Sequence, residues 1–196
     1  MNIIRCSLCK KVIKLTFLIL FLLVVVSPGC KESTTGPSQV SANLLVNSFF
    51  ESNGMPSLQG WTVSDTSNVH FSKDIPPGGL GLSIILNARW FGPWPNGSIY
   101  QMVEAPVGNH RYRLSVFGKR IGVGGAVDVH VGFPADTNSI RRISLSVQDT
   151  VWTYYSLTDT ITIRANDILY LTISGGATEI RSGTSWFNSC TVEKLD

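Results

Sequence analysis

The chain has 196 residues, of which charged residues make up 15%, well below the ~25% of an average soluble domain. Lysine and arginine number 16 against 13 aspartates and glutamates, a formal net charge of +3. That excess is local. Residues 1–29 hold Arg5, Lys10, Lys11 and Lys14 and no acid, so the remainder carries 12 basic and 13 acidic residues, a net of −1. A nucleic-acid-binding protein carries its basic patch on the folded part, and this distribution speaks against that class.

The first element is a targeting segment, residues 1–29. A positively charged stretch from Met1 to Lys14 precedes a twelve-residue apolar run, Leu15 to Val26, and then Ser27-Pro28-Gly29-Cys30. Twelve residues fall short of the ~20 that a membrane-spanning helix needs, and the layout is that of a secretory signal peptide. Gly29-Cys30 resembles the lipobox of bacterial lipoproteins, although Ser27 and Pro28 stand where leucine and alanine or serine are usual. The resemblance implies that the Cys30 thiol is acylated and becomes the mature N-terminus. An ordinary signal peptide or an uncleaved anchor is the alternative. Residues 30–42 then read as a tether: Lys31 to Ala42 is polar, rich in Ser and Thr, and unable to bury a core. Its Cys-Lys-Glu start also resembles the surface-export signals of some lipoproteins. The expected location is the bacterial cell envelope, lipid-anchored at the outer membrane or cell surface.

Four cysteines occur, at 6, 9, 30 and 190. Cys6 and Cys9 form a C-x-x-C inside the signal segment, a poor place for zinc or redox chemistry, and Cys30 is assigned to lipid. Cys190 alone is left in the folded part, so no disulfide closes within it. Residues 43–196 suffice for one hydrophobic core and are too few for two ordinary domains.

From Asn43 onward no helical stripe appears, and period-2 segments recur between turn signals. His110–Phe117 sets Tyr112, Leu114 and Val116 against Arg111, Arg113 and Ser115. Ala126–Phe133 puts Val127, Val129, Val131 and Phe133 on one face and Asp128 and His130 on the other. Ile143, Leu145 and Val147 alternate with polar residues, and Thr160–Arg164 and Ile168–Ser174 are further strands joined by Ala165-Asn166-Asp167. The glycines at 122, 124 and 125 do not fit G-x-G-x-x-G and read as a hairpin turn rather than a phosphate loop. Many short strands at this spacing predict an all-β, antiparallel β-sandwich.

Several stretches resemble, in order, the carbohydrate-binding modules with a galactose-binding-like jelly roll. They are Asn43-Leu44-Leu45-Val46-Asn47-Ser48-Phe49-Phe50-Glu51, Gly60-Trp61, Tyr100-Gln101-Met102-Val103, Gly108 to Val116, and Gly183-Thr184-Ser185-Trp186-Phe187-Asn188-Ser189-Cys190. The resemblance implies a five-plus-four jelly-roll sandwich whose first and last strands are adjacent. It also implies a structural calcium where they meet, held here by Glu51 and Asn188. Asn188 and Ser189 replace two aspartates of the group's closing motif, and calcium prefers several anionic oxygens; a hydrogen-bonded strand junction is the other reading. No other cofactor is expected.

Sugar sites pair flat aromatic rings with planar hydrogen-bonding side chains. Trp61 and Trp186 match motif positions and are expected in the core, with Trp152 packing before a strand. Arg89-Trp90-Phe91-Gly92-Pro93-Trp94-Pro95-Asn96 differs, with three large aromatics in five residues and prolines that keep it out of a central strand. The candidate ligand-binding set is Arg89, Trp90, Phe91, Trp94 and Asn96, joined by Asp128 and His130 on the polar face of their strand. Two plainer readings stay open: a loop plugging one end of the sandwich, and a solvated strand face. No metal-binding histidine spacing, no G-x-S-x-G and no nominated carboxylate pair supports catalysis, and Cys190 shares parity with Val192. The expectation is a monomeric, non-catalytic lipoprotein that binds carbohydrate and meets the membrane through its lipid. An envelope module that binds protein, and a small hydrolase, stand as alternatives.

Overall fold

The computed structural model describes residues 42–89, 97–178 and 181–196. Among the described residues twelve strands occur in chain order: β1 Glu51–Ser52, β2 Met55–Pro56, β3 Thr62–Val63, β4 Val69–Ser72, β5 Ser83–Ala88, β6 Ser98–Val103, β7 Gly108–Gly122, β8 Ala126–Val131, β9 Ile140–Ser146, β10 Thr153–Ile163, β11 Leu169–Ser174 and β12 Gly183–Lys194. One five-stranded sheet runs β10-β7-β12-β5-β4, a second runs β3-β6-β11-β8-β9, and β1 pairs with β2 as a ribbon. Neighbouring strands are antiparallel throughout. The architecture is the antiparallel jelly-roll β-sandwich that the sequence predicts, with five strands in each sheet where the resemblance implies five and four.

Alternation sorts the side chains. Tyr112, Leu114 and Val116 of β7, Leu169, Leu171 and Ile173 of β11, and Val127 and Val129 of β8 are buried, as are Ile143, Leu145 and Val147. They meet Ile84, Leu86 and Phe187 between the sheets. Each fully buried aliphatic or aromatic side chain of this kind contributes about 1.5–3 kcal/mol, and with no disulfide among the described residues the core carries the fold. Cys190 is fully buried and desolvation raises its thiol pKa far above the ordinary value, so it packs as a small apolar group.

The chain's start is tied to its end. Leu44 N–H donates to Val192 O (2.8 Å), and the Asn43 side-chain oxygen accepts from Val192 N–H (3.0 Å) and Leu45 N–H (3.2 Å). Gln101 holds the next residues: its oxygen accepts from Val46 N–H (2.7 Å) and its amide donates to Val46 O (3.0 Å) and Gly60 O (3.1 Å). Trp61 lies in the core as expected, its ring 5.6 Å from that of Phe50 and its indole N–H on Asn47 O (3.2 Å).

Three sequence expectations are corrected. The glycines at 122–125 do not close a hairpin, because β7 and β8 belong to different sheets. They let backbones cross at one end of the sandwich: a Cβ on Gly124 would stand 1.7 Å from Val147 O, and one on Gly176 would stand 1.6 Å from Gly124 O. Trp186 faces outward and Phe187 takes the core position. The cause is a bulge between Asn188 and Thr191, with Ser189 at φ 52°. One extra residue reverses parity upstream of it, so Phe187 and Cys190, three apart, both point inward. Phe133 likewise leaves the valine face. β8 ends at Val131, Gly132 takes φ 87°, and the Phe133 ring comes to rest against Tyr100 and Tyr170 on the outward side of the second sheet.

Candidate functional site

The outward face of the second sheet is ordered by strand register. One row runs Thr62, Tyr100, Thr172, Asp128 and Ser144; the next runs Met102, Tyr170, His130 and Arg141. Tyr100, Tyr170 and Phe133 form an edge-on cluster, with ring centroids 5.3 Å (Tyr100–Phe133), 5.5 Å (Phe133–Tyr170) and 6.3 Å (Tyr100–Tyr170) apart. Such mutual edge contacts fix ring orientation, so this aromatic wall is set without a ligand.

Asp128 and His130 stand beside it and are not on a solvated face. They are 3% and 7% exposed, so both sides of β8 are covered. Asp128 Oδ1, His130 Nδ1 and Thr172 Oγ1 are buried atoms with no hydrogen-bond partner among the described residues. Arg141 Nε lies 3.3 Å from Asp128 Oδ1, an ion pair whose geometry is not that of a hydrogen bond. Burial lowers the His130 pKa; the Asp128 charge partly opposes that shift and Arg141 adds to it. The imidazole is therefore neutral at pH 7. Buried polar groups nearly always find partners, and leaving one without costs about 1–3 kcal/mol. Three such atoms, each shielded from solvent, share one side of the second sheet.

The first sheet's outward face also carries aromatics, but the polar groups around Trp152 and Trp186 are paired. Lys119 Nζ sits 5.1 Å from the Trp152 ring centroid and 5.2 Å from that of Trp186. Asp74 accepts from Lys119 and from Trp152 Nε1–H (3.0 Å). Those hydrogen bonds, led by the one from Lys119, lower the Asp74 pKa. Nearby, Thr184 Oγ1–H donates to Asn87 Oδ1 (2.9 Å), and Phe117 packs on Tyr154 with centroids 5.0 Å apart. This is a self-satisfied brace.

The sequence candidates divide among these places. Arg89 comes just after β5 and lines a depression of about 490 Å³ with Asn87, Ile121, Ser182 and Thr184, at the ends of first-sheet strands. That depression shares no residue with the Asp128–His130 rows. Trp90, Phe91, Trp94 and Asn96 lie outside the described residues, as does Cys30. Sequence reasoning missed Tyr100, Phe133, Tyr170, Thr172 and Arg141. The tyrosines and Thr172 had a signal: they occupy the outward phase of strands whose inward phase is apolar throughout in β11 and apolar but for Gln101 in β6.

At the expected calcium position the chemistry is that of a donor. Asn188 is fully buried, and its amide nitrogen donates to Leu80 O (3.0 Å) and Leu82 O (2.8 Å). Its oxygen accepts from the Ser189 hydroxyl (2.6 Å). The carbonyls that a cation would gather are held by N–H groups, and the Glu51 backbone N–H is bonded to Asn47 Oδ1 (2.9 Å). Calcium needs 6–8 oxygens; the residues at Asn188 fit a hydrogen-bonded junction and not that ion. Among the described residues, no group of three or more His, Cys, Asp or Glu side chains could hold a metal.

No family model matches the chain, and no curated protein matches it. Solved structures do. A family 16 carbohydrate-binding module is 22% identical and matches 76% of this chain and 99% of its own, with a TM-score of 0.56. The CBM22-1 xylan-binding domain from Paenibacillus barcinonensis Xyn10C is 15% identical over 80% of this chain and 96% of its own, TM-score 0.52. An arabinose-bound α-L-arabinofuranosidase, MgGH51, is 18% identical over 81% of this chain but 27% of its own, TM-score 0.55. At these identities the likeness establishes the fold: a jelly-roll sandwich whose neighbours include carbohydrate-binding modules.

Two measurements test the site chemistry. Excess chelator is expected to leave the thermal midpoint unchanged; a fall of several degrees, reversed by calcium, would restore the metal. A depressed Asp74 pKa means stabilisation that persists above the unfolded value of 3.8 and is lost as pH falls through the lower folded value. Tryptophan emission is therefore expected to hold down to about pH 3.8 and to change below it. Asp74→Asn should lack that acid limb, and an identical limb in the variant would remove the assignment.

Proposed function

We propose that this protein is a lipid-anchored, non-catalytic envelope lipoprotein whose sandwich binds carbohydrate on the outward face of the second sheet. The observation that carries the reading is the juxtaposition of the Tyr100–Phe133–Tyr170 ring cluster with the unpaired buried atoms of Asp128, His130 and Thr172. A sugar presents apolar C–H faces ringed by hydroxyls. Rings take the former, and the polar row takes the latter directly or across one bridging water. A wall already held in place loses little entropy on binding, which favours affinity. The resemblance of the fold to carbohydrate-binding modules supports the same reading, although a fold alone does not assign a ligand.

Acylation of Cys30, with residues 31–42 as tether, would hold the sandwich off a membrane as a monomer. The sequence nominates Trp90, Phe91 and Trp94, next to Arg89 in the chain, as further sugar contacts, and this reading keeps them.

Tyr170→Ala is expected to weaken retention on polysaccharide about tenfold or more while the protein stays folded by circular dichroism. Trp94→Ala is expected to do the same, whereas global unfolding would identify that loop as a plug of the core. Full retention by Tyr170→Ala would remove the second-sheet face from the site. Palmitate labelling is expected in cells expressing the full chain and not in Cys30→Ala; equal labelling of both would end the lipoprotein assignment.

A further inference from the structure

The three unpaired atoms also constrain the charge of the ligand, an inference that rests on the glycan reading above. Asp128 is 3% exposed and its Oδ1 has no hydrogen-bond donor among the described residues. A buried polar atom without a partner is retained against a cost in stability, which selection tolerates where function needs it. What Asp128 lacks is a donor. Arg141, whose side chain is 58% exposed, is the cation nearest it and reaches Oδ1 through Nε at 3.3 Å. Across the two rows the charged pair is therefore one carboxylate and one guanidinium, with a neutral imidazole beside them. Within the two rows the one cation, Arg141, is committed to Asp128; Arg142, its neighbour in the chain, is exposed and falls in the β9 register shift outside both rows.

We infer that the face selects uncharged glycans, whose hydroxyls donate to Asp128 and exchange hydrogen bonds with His130 and Thr172, and that it rejects glycans bearing carboxylates or other anionic groups. A hydroxyl brings both a donor and acceptor capacity, and so suits a carboxylate, an imidazole nitrogen and a threonine oxygen at once. A uronate brings a second negative charge towards a desolvated first one. Like charges in a site shielded from water repel far more strongly than in bulk. Drawing Arg141 to the ligand would deprive Asp128 of its cation and leave a buried charge unpaired, the most costly state for such a pair. Discrimination thus comes from a repulsive element as well as from an attractive one. Asp128 is the residue on which it turns.

The test is affinity electrophoresis of the purified full chain in gels containing xylan, galactomannan or mixed-linkage glucan as neutral probes and polygalacturonate as the anionic one, at two salt concentrations. At least one neutral polysaccharide is expected to retard the protein, and polygalacturonate to have no effect at either salt. Asp128→Asn keeps the side chain's shape and removes its charge. It should weaken neutral retention tenfold or more without lowering the thermal midpoint, and should gain measurable polygalacturonate binding at low salt. Retardation of the unaltered protein by polygalacturonate and not by the neutral probes, lost in Tyr170→Ala, would overturn the ligand class while leaving the glycan site standing. Undiminished neutral binding by Asp128→Asn would overturn the role of Asp128. No retardation by any of the four would sink the glycan reading and this inference together.

Discussion

The structure turns on one extra residue in its last strand. β12 runs through the middle of the first sheet, between β7 and β5, and must keep a continuous apolar side over twelve residues. Strict alternation from Val192 back through Cys190 would send Asn188 and Trp186 into the core and Phe187 out. The bulge at Asn188–Thr191 reverses the phase, so that Phe187 fills the core and Trp186 faces outward. The same irregularity leaves the Asn188 amide where it can bridge Leu80 O and Leu82 O, tying β12 to the segment that leads into β5. A one-residue slip moves every side chain of a strand to the other face, and here the slip is built in.

The two sheets consequently present unlike outer faces. Trp186, once outside, meets Lys119 from the opposing position on β7, and Trp152 closes the other side under Asp74. Every charge in that cluster has a partner. Its rings serve the fold by covering the sheet, with a cation between them worth ~0.5–2 kcal/mol. The second sheet is the opposite case: its rings stand together, but three buried polar atoms beside them are unmet. Aromatic content alone would rank the two faces alike. Hydrogen-bond satisfaction separates them, because an interior that completes its own network has nothing to offer a ligand.

Much of this was legible in the chain. The strands around Tyr112–Val116, Val127–Val131, Ile143–Val147 and Leu169–Ile173 announce themselves by period, and Asn43 to Phe50 and Gly60-Trp61 mark the opening that packs against the end. The site was half legible. Asp128 and His130 could be singled out as polar residues in a valine strand, but alternation only said that they face away from the valines. Their burial depends on what lies over that face. Phe133 was placed with the valines because nothing local shows that Gly132 adopts a left-handed φ. Tyr100 and Tyr170 are distant in the chain and become neighbours only through the β6–β11 pairing.

The sequence by itself therefore determined the class of architecture, the single core, the outward or inward phase of each unbroken strand and the near-neutral charge of the folded part. These properties arise from composition and from a period of two, which belong to adjacent residues. Only the tertiary structure decided where the phase is interrupted, which aromatic of Trp186 and Phe187 is buried, and which polar atoms go without partners. Those outcomes rest on contacts between strands distant in the chain: a bulge recovers its lost ladder bonds only where another backbone waits to receive the displaced groups. Whether a carboxylate is satisfied is likewise a property of its surroundings and not of its neighbours in sequence.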